Sequence, residues 1–181
     1  VQQPDQLIGS IEVLPETERE RLLVEFNQTA SVYPHNQNIQ QLFEEQVLRT
    51  PDATAIEFDG NSMSYAELNA RANQLAHYLL ALGLAAESPV GLCLERNCDL
   101  IIAILAVLKA GGAYLPLDST YPIDRLSFML DDARVNILIA HDHLLEQLPA
   151  DTRHVFSMDS DWPMIEAFSD ENPSVAVTAD G

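Results

Sequence analysis

Apolar and polar residues follow two alternating patterns from residue 38 onward. Segments with apolar side chains at helical spacing are predicted to be helices, and they cover residues 38–51, 64–83, 98–112, 122–133 and 141–148. Continuous apolar runs between them are typical of strands buried on both faces; they are PVGLCL, AYLPL and VNILIA, with a weaker strand, HVFSM, after them. Strands that alternate with helices predict an α/β fold with a mostly parallel sheet.

Turn and capping residues support these boundaries. Asp59-Gly60, between two short apolar runs, predicts a β-hairpin. Ser64 and Glu67 have the spacing of a capping box at the start of a helix, and Gly83 fits the position just after its end. The segment CDLIIAILAVLK is nearly all apolar, so this helix is predicted to be buried on most sides.

The pattern divides the chain into three parts. Residues 1–37 contain one short predicted helix, in LPETERERLLVEFNQT, and are interpreted as an arm rather than an independent domain. Residues 38–156 carry the α/β pattern. Residues 157–181 are acidic, contain two prolines and no basic residue, and are predicted to form a loop.

Charge and composition exclude several classes of function. The chain has 181 residues with 28 acidic against 9 basic side chains, a net charge of -19 that argues against a nucleic-acid or anionic-membrane surface. No apolar run reaches the roughly 18 residues of a membrane span, and the first residues have no basic segment typical of a signal peptide. Two cysteines, Cys93 and Cys98, are too few for a disulfide framework, so we expect a cytoplasmic protein.

The segment LKAGGAYLPLD, residues 108–118, contains the only lysine of the chain beside a glycine pair. Lysine next to glycine could form a phosphate cradle, but a cradle places its glycines before a helix, where free N–H groups converge. Here they follow a helix and precede a strand. We therefore predict that Lys109 lies in the last helical turn, where a cation favours the helix dipole, that Gly111 has a positive φ, and that Gly112 allows close backbone packing.

Two other polar clusters are candidate sites. His141 and His143 could bind a metal ion, although a polar turn capping the next helix is the favoured interpretation. Asp118, Ser119 and Thr120 follow a buried parallel strand, near the sheet edge where α/β proteins bind ligands, but no paired base or nucleophile accompanies them. The remaining polar or aromatic candidates, Asp131-Asp132 and Trp162, are interpreted as a solvated helix face and as loop packing.

Several segments resemble the adenylation domains of non-ribosomal peptide synthetases. MSYAEL resembles their first core motif, LKAGGAYLPLD resembles the second, and YPIDRLSFMLDDA resembles the segment after it. LFEEQVLRTPDATAI resembles the opening of the domain, and LPETERERLLVEFNQT resembles the connector from an upstream condensation domain. The resemblance covers roughly residues 12 to 148, in order and at family spacing. One departure is DSTYP, where the family more often has proline after the aspartate.

The resemblance implies part of the large N-terminal subdomain of an adenylate-forming enzyme. The parent enzyme would use ATP and Mg²⁺ to convert an amino acid into an aminoacyl-adenylate, then load it onto a carrier-protein phosphopantetheine thiol. The family's phosphate loop would begin shortly after residue 181, and its amino-acid pocket and catalytic lysine would follow further on. Lys109 does not match that lysine. No catalytic, cofactor-binding or metal-binding residue is therefore assigned to this chain.

The resemblance thus implies a scaffold fragment that is inactive alone, within a parent that is an amino-acid-adenylating ligase. The expected partners are the remainder of the adenylation domain, an upstream condensation domain and a downstream carrier protein. The alternative is a non-catalytic interaction fragment that complements a separate chain carrying the rest of the domain. A free-standing nucleotide-binding domain is disfavoured, because the sequence contains no GxxxxGK[ST] or GxGxxG motif.

Overall fold

The computed structural model describes residues 14–32, 34, 36–149 and 153–175. The chain forms two compact units, residues 1–35 and 36–181. In the first unit, helix α1 (Glu16–Leu23) begins after Pro15 and leads into a single 3₁₀ turn, Glu25–Asn27. The Asn27 side-chain amide donates hydrogen bonds to the carbonyls of Leu22 and Leu23, both at 3.0 Å, and so closes the helix end. The predicted short helix is confirmed, and residues 1–13 of the predicted arm lie outside the described residues.

The second unit has the predicted alternation of strands and helices. Its helices are α2 (Ile39–Arg49), α3 (Tyr65–Ala81), α4 (Cys98–Lys109), α5 (Ile123–Asp132) and α6 (Trp162–Ile165), with a 3₁₀ segment at Asp142–Gln147. Its strands are β1 (Thr54–Phe58), β2 (Asn61–Ser64), β3 (Pro89–Cys93), β4 (Ala113–Pro116), β5 (Ile137–Ala140) and β6 (His154–Ser157). Strands β1 and β2 form the predicted antiparallel hairpin, and β3 to β6 form a parallel sheet, which confirms the predicted α/β fold.

Strand order in the parallel sheet is β4-β3-β5-β6. The chain passes from β3 outward to β4, then crosses back to place β5 on the other side of β3. The carboxyl ends of β3 and β5 therefore flank a topological switch point, the place where open α/β sheets commonly bind ligands. Gly91 on β3 allows close packing here, because a Cβ at this position would lie 2.7 Å from Cδ1 of Leu138, which would have to shift.

The core lies on both faces of this sheet. Helices α3 and α4 cover one face, and α4 buries most of its surface, as predicted from its apolar sequence. Helix α5 and the 3₁₀ segment cover the other face. Helix α2 is less buried than its apolar spacing suggests: Phe43 packs against the core, but Ile39 remains 67% exposed.

Capping residues define the helix starts. Ser64 accepts a hydrogen bond from the Glu67 amide at 3.2 Å, and Glu67 accepts one from the Ser64 amide at 2.8 Å, which confirms the predicted capping box. A second capping box joins Asn38 and Gln41 at the start of α2, and the sequence analysis did not identify it. Both boxes satisfy backbone N–H groups that have no partner within their helices.

The end of α4 is a Schellman motif. The Gly111 amide donates to the Leu108 carbonyl at 3.0 Å, and the Gly112 amide donates to the Val107 carbonyl at 2.9 Å. Gly111 has a φ of 77°, and a Cβ on Gly112 would lie 3.1 Å from the Ser88 carbonyl oxygen. The predicted conformations of both glycines are confirmed, and the turn directs the chain into β4.

We predict that Gly111→Val lowers the free energy of unfolding by more than about 1 kcal/mol, because a β-branched residue resists positive φ. Gly111→Asn is the matched control and should cost less, since asparagine tolerates this region. Chemical denaturation of both variants measures the difference. Equal stability of wild type and Gly111→Val would contradict the conformational assignment.

Candidate functional site

Lys109 is buried, not solvated at the helix end. Its ammonium group forms an ion pair with Glu44 of α2, donates a hydrogen bond to Asn172 Oδ1 at 3.2 Å, and lies 5.9 Å from the centre of the Phe43 ring. Burial lowers the pKa of Lys109, while the hydrogen bond and the charge of Glu44 act in the opposite direction. Lys109 lies in the last turn of α4, as predicted, but its partners Glu44 and Asn172 were not predicted from the sequence.

The Gly111-Gly112 pair does not form a phosphate cradle. Both amides donate to carbonyls of α4, so neither N–H is available to an anion. The nearby Gly111 carbonyl accepts a hydrogen bond from the Glu87 amide at 2.7 Å. The segment therefore acts as a structural joint between α4 and β4.

Asp118 lies just beyond β4, at the carboxyl edge of the sheet, and forms a closed local turn. Its Oδ1 accepts hydrogen bonds from the Thr120 amide at 2.9 Å and the Thr120 hydroxyl at 2.7 Å. These two bonds are the main reason that the pKa of Asp118 lies below its usual value, and the charges of Arg125 and Arg96 lower it further. The carboxylate is exposed, but its main contacts are to its own turn.

His141 is buried at the switch point, directly after β5. Its Nδ1 accepts a hydrogen bond from the Glu95 amide at 3.3 Å. Its Nε2 lies 3.2 Å from Asn97 Nδ2 and 3.4 Å from Asp99 Oδ2, at the start of α4. Because Nδ1 acts as an acceptor for the Glu95 amide, Nε2 is the ring nitrogen that can donate to Asp99. His141 thus joins the β3–α4 loop to β5.

The histidine pair does not form a metal centre in the described part of the chain. The His143 ring stacks on that of His141 with centroids 5.7 Å apart, and its Nε2 lies 3.3 Å from the exposed Glu95 carboxylate. No group of three or more histidine, cysteine, aspartate or glutamate side chains among the described residues is arranged to hold a metal ion. These contacts agree with a polar turn, but the His141 side chain does not cap the 3₁₀ segment that begins at Asp142, so the predicted capping role is wrong.

The remaining candidate residues make contacts that stabilise the fold. Trp162 packs into the core beneath Arg71, whose Cζ lies 4.2 Å from the ring centre, as expected for loop packing. Cys93 is buried in the core, and this burial raises the pKa of its thiol. Asp131 and Asp132 are exposed, as predicted for a solvated helix face, and Asp131 also forms an ion pair with Arg153.

The predicted acidic loop contains an ordered contact that its sequence does not predict. Asn172 Oδ1 accepts hydrogen bonds from Asn69 at 3.0 Å, Asn73 at 2.9 Å and Lys109 at 3.2 Å. We call these four residues the tail clasp. The short helix α6 precedes it within the same predicted loop. Residues 176–181 of that loop lie outside the described residues.

A family model and several known proteins match this chain in sequence. A family model described as AMP-binding enzyme matches residues 43–179. A linear gramicidin synthase protein of Brevibacillus parabrevis is 42% identical over 180 residues, which are 99% of this chain and 4% of that protein. Chondramide synthase cmdD of Chondromyces crocatus is 44% identical over 183 residues, covering 99% of this chain and 5% of that protein. The chain therefore spans only a small part of these relatives.

Solved structures show the same similarity in three dimensions. The non-ribosomal peptide synthetase FmoA3, in its AMPPNP-bound form, aligns with a TM-score of 0.76 and 30% identity over 85% of this chain and 16% of that chain. The N-terminal subdomain of Klebsiella oxytoca NpsA aligns with a TM-score of 0.67 and 26% identity, over 80% of this chain and 36% of that subdomain chain. The four-stranded parallel sheet and its helices thus recur in these proteins.

We predict that Lys109→Met lowers the free energy of unfolding by about 2–4 kcal/mol, because it leaves Glu44 without its buried partner. This exceeds the limit of about 1 kcal/mol expected for a lost helix-dipole contact alone. Arg49→Met is the matched control, since Arg49 is an exposed cation in the last turn of α2. Urea denaturation compares them, and adding Glu44→Gln to Lys109→Met should recover part of the loss. Equal effects of the two single variants would contradict the buried-pair assignment.

We also predict that Thr120→Val raises the pKa of Asp118 toward its usual value, because it removes the hydroxyl donor. The low pKa of folded Asp118 means that its contribution to stability is present above the unfolded pKa and is lost as pH falls through the folded pKa. Carbon-13 NMR titration of the side-chain carboxylate measures the change. Thr29→Val in the first unit is the control and should leave the Asp118 titration unchanged. An unchanged titration in Thr120→Val would contradict the assigned cause.

Proposed function

Because this chain belongs to the AMP-binding enzyme family, we propose that it builds one flank of an adenylation domain of the non-ribosomal peptide synthetase type. The observation that carries the proposal is the continuous family match over residues 43–179 on a parallel α/β sheet. The motif with the only lysine supports an architectural role, because its glycine amides and its ammonium group are engaged within the fold. The residues after it in the domain would build the reaction site against this flank.

The reaction of the whole domain is proposed to be amino-acid activation. The carboxylate of an amino acid attacks the α-phosphorus of ATP, which forms aminoacyl-AMP and releases pyrophosphate. A carrier-protein phosphopantetheine thiol then attacks the acyl carbon, which forms a thioester and releases AMP. The Gly111 and Gly112 amides are engaged at the end of α4 and offer no N–H group to a phosphate of ATP. We therefore assign no step of this reaction to them.

The proposed partners follow from the same domain organisation. They are the remainder of the adenylation domain, an upstream condensation domain and a downstream carrier protein. None of the described helices is long and apolar enough to cross a membrane. The net charge of -19 disfavours nucleic-acid binding, and we propose a cytoplasmic location.

A complementation fragment is the second candidate, supported by the open edges of the sheet. In the described part of the chain, β4 and β6 each pair with one strand, and Tyr114 and Val155 on these strands are partly exposed. Unpaired strand edges accept further strands. The two candidates differ in whether the remaining residues of the domain belong to the same polypeptide or to a separate one.

We predict that residues 1–181 alone neither bind ATP in calorimetry nor catalyse amino-acid-dependent pyrophosphate exchange, whereas the intact domain does both. The reason is that the described N–H groups near the glycine pair are already paired. Restored exchange after mixing with a separately produced remainder would favour complementation. A monodisperse 181-residue monomer that binds ATP at micromolar concentration would contradict both candidates and support an independent nucleotide-binding domain.

A further inference from the structure

The segment after α6 is held along the surface of α3 by side-chain hydrogen bonds. The Gln74 amide donates to the Glu166 carbonyl at 3.2 Å, and the Asn73 amide donates to the Asp170 carbonyl at 2.7 Å. His77 Nε2 lies 3.0 Å from the Glu171 carbonyl oxygen. These hydrogen bonds are made to backbone carbonyls of the segment. They therefore fix the path of its backbone independently of the side chains that it carries.

Asn172 is the point at which this path is joined to the core. Its single Oδ1 atom accepts from all three donors of the tail clasp, Asn69, Asn73 and Lys109. Lys109 is in turn paired with Glu44 of α2. One amide oxygen therefore links the segment to α3 and α4 directly, and to α2 through the ion pair.

Burial makes this connection specific. Asn73 is 0% exposed and Lys109 is 3% exposed, so neither can replace a lost partner easily with bulk water. A buried donor without an acceptor is unfavourable, and a buried ammonium group more so. Displacement of the segment at Asn172 would remove one acceptor from both Asn73 and Lys109, which would keep only the Asp170 carbonyl and Glu44, respectively.

We propose that Asn172 is a positioning residue that holds the start of the chain leading into the phosphate-binding loop of the domain. This inference rests on the proposed function and on the resemblance to adenylation domains, which implies that the phosphate loop follows this segment. A loop whose N–H groups bind a triphosphate must be held in place before ATP arrives, because disorder at its base would weaken binding. Asn172 would act through the backbone that follows it and would not contact ATP.

The hydrogen bonds define matched variants, because Asn172 uses only its oxygen in the clasp. Asn172→Leu keeps the approximate size and removes the acceptor, whereas Asn172→Asp keeps an acceptor for all three donors. Asn69→Leu removes a single donor and serves as a milder second variant. Arg153→Met is the control outside the clasp. Arg153 lies just before β6, and this substitution breaks its ion pair with Asp131 and its 2.9 Å hydrogen bond to the Val135 carbonyl, which lies before β5.

The test uses the intact protein and measures kcat and the KM values for ATP and amino acid by pyrophosphate exchange. Hydrogen exchange of a peptide covering residues 166–175 provides a readout that does not depend on activity. For Asn172→Leu we expect faster exchange in this peptide, a tenfold or larger rise in KM for ATP, and an amino-acid KM within twofold of wild type. Asn69→Leu should show a smaller rise, and Asn172→Asp should remain within threefold of wild type. Arg153→Met should lower the melting temperature without a selective change in the KM for ATP.

The outcomes separate this inference from the proposed function. Wild-type protein without amino-acid-dependent exchange would overturn the proposed function and the positioning role with it. Wild-type activity combined with an unchanged KM for ATP in both Asn172→Leu and Asn69→Leu would overturn the positioning role alone. The same would follow if Asn172→Asp lost as much ATP affinity as Asn172→Leu, or if Arg153→Met reproduced the change in KM.

Discussion

The buried charge of Lys109 is the interaction on which the arrangement of the second unit depends. An ammonium group inside a protein is unfavourable unless opposite charge and hydrogen-bond acceptors surround it. Glu44 supplies the charge from α2, and Asn172 supplies an acceptor from the end of the described chain. Two segments that lie 65 and 63 residues away from Lys109 in the sequence must therefore both reach its ammonium group. The lysine defines where α2 and the terminal segment must lie relative to α4.

Helices α3, α4 and α5 end with similar backbone geometry before the strands that follow them. Gly83 after α3 and Gly111 after α4 both have positive φ, and each is followed by bonds to the last helical turn. Arg134 after α5 adopts the same conformation with a φ of 55°, although it is not glycine. Its amide donates to the Asp131 carbonyl at 3.0 Å, and the next amide donates to the Leu130 carbonyl at 2.9 Å. Three consecutive helices therefore turn into their strands through the Schellman motif.

The polar groups at the carboxyl edge of the sheet make structural contacts. An α/β fold alone therefore does not identify a reaction site. Asp118 is bound by its own turn, and His141 uses its ring nitrogens to connect two loops. These contacts stabilise the edge at which the rest of an adenylation domain would be built. Function in such folds depends on the particular residues added at that edge, not on the sheet itself.

The sequence by itself determined the elements and their order, because the responsible interactions are local. The apolar period of α3, its Ser64–Glu67 capping box and the positive φ of Gly111 each depend on neighbours within a few residues. The family could also be identified from contiguous motifs. Only the tertiary structure decided the environment of Lys109 and the course of the segment around Asn172. Their partners lie far apart in the sequence, and the hydrophobic pattern carries no information about which distant polar side chain satisfies a buried charge. The same reason explains why residues predicted from composition to form an acidic loop are bound to α3: the bonds come from α3 side chains to the segment's backbone, which every sequence has.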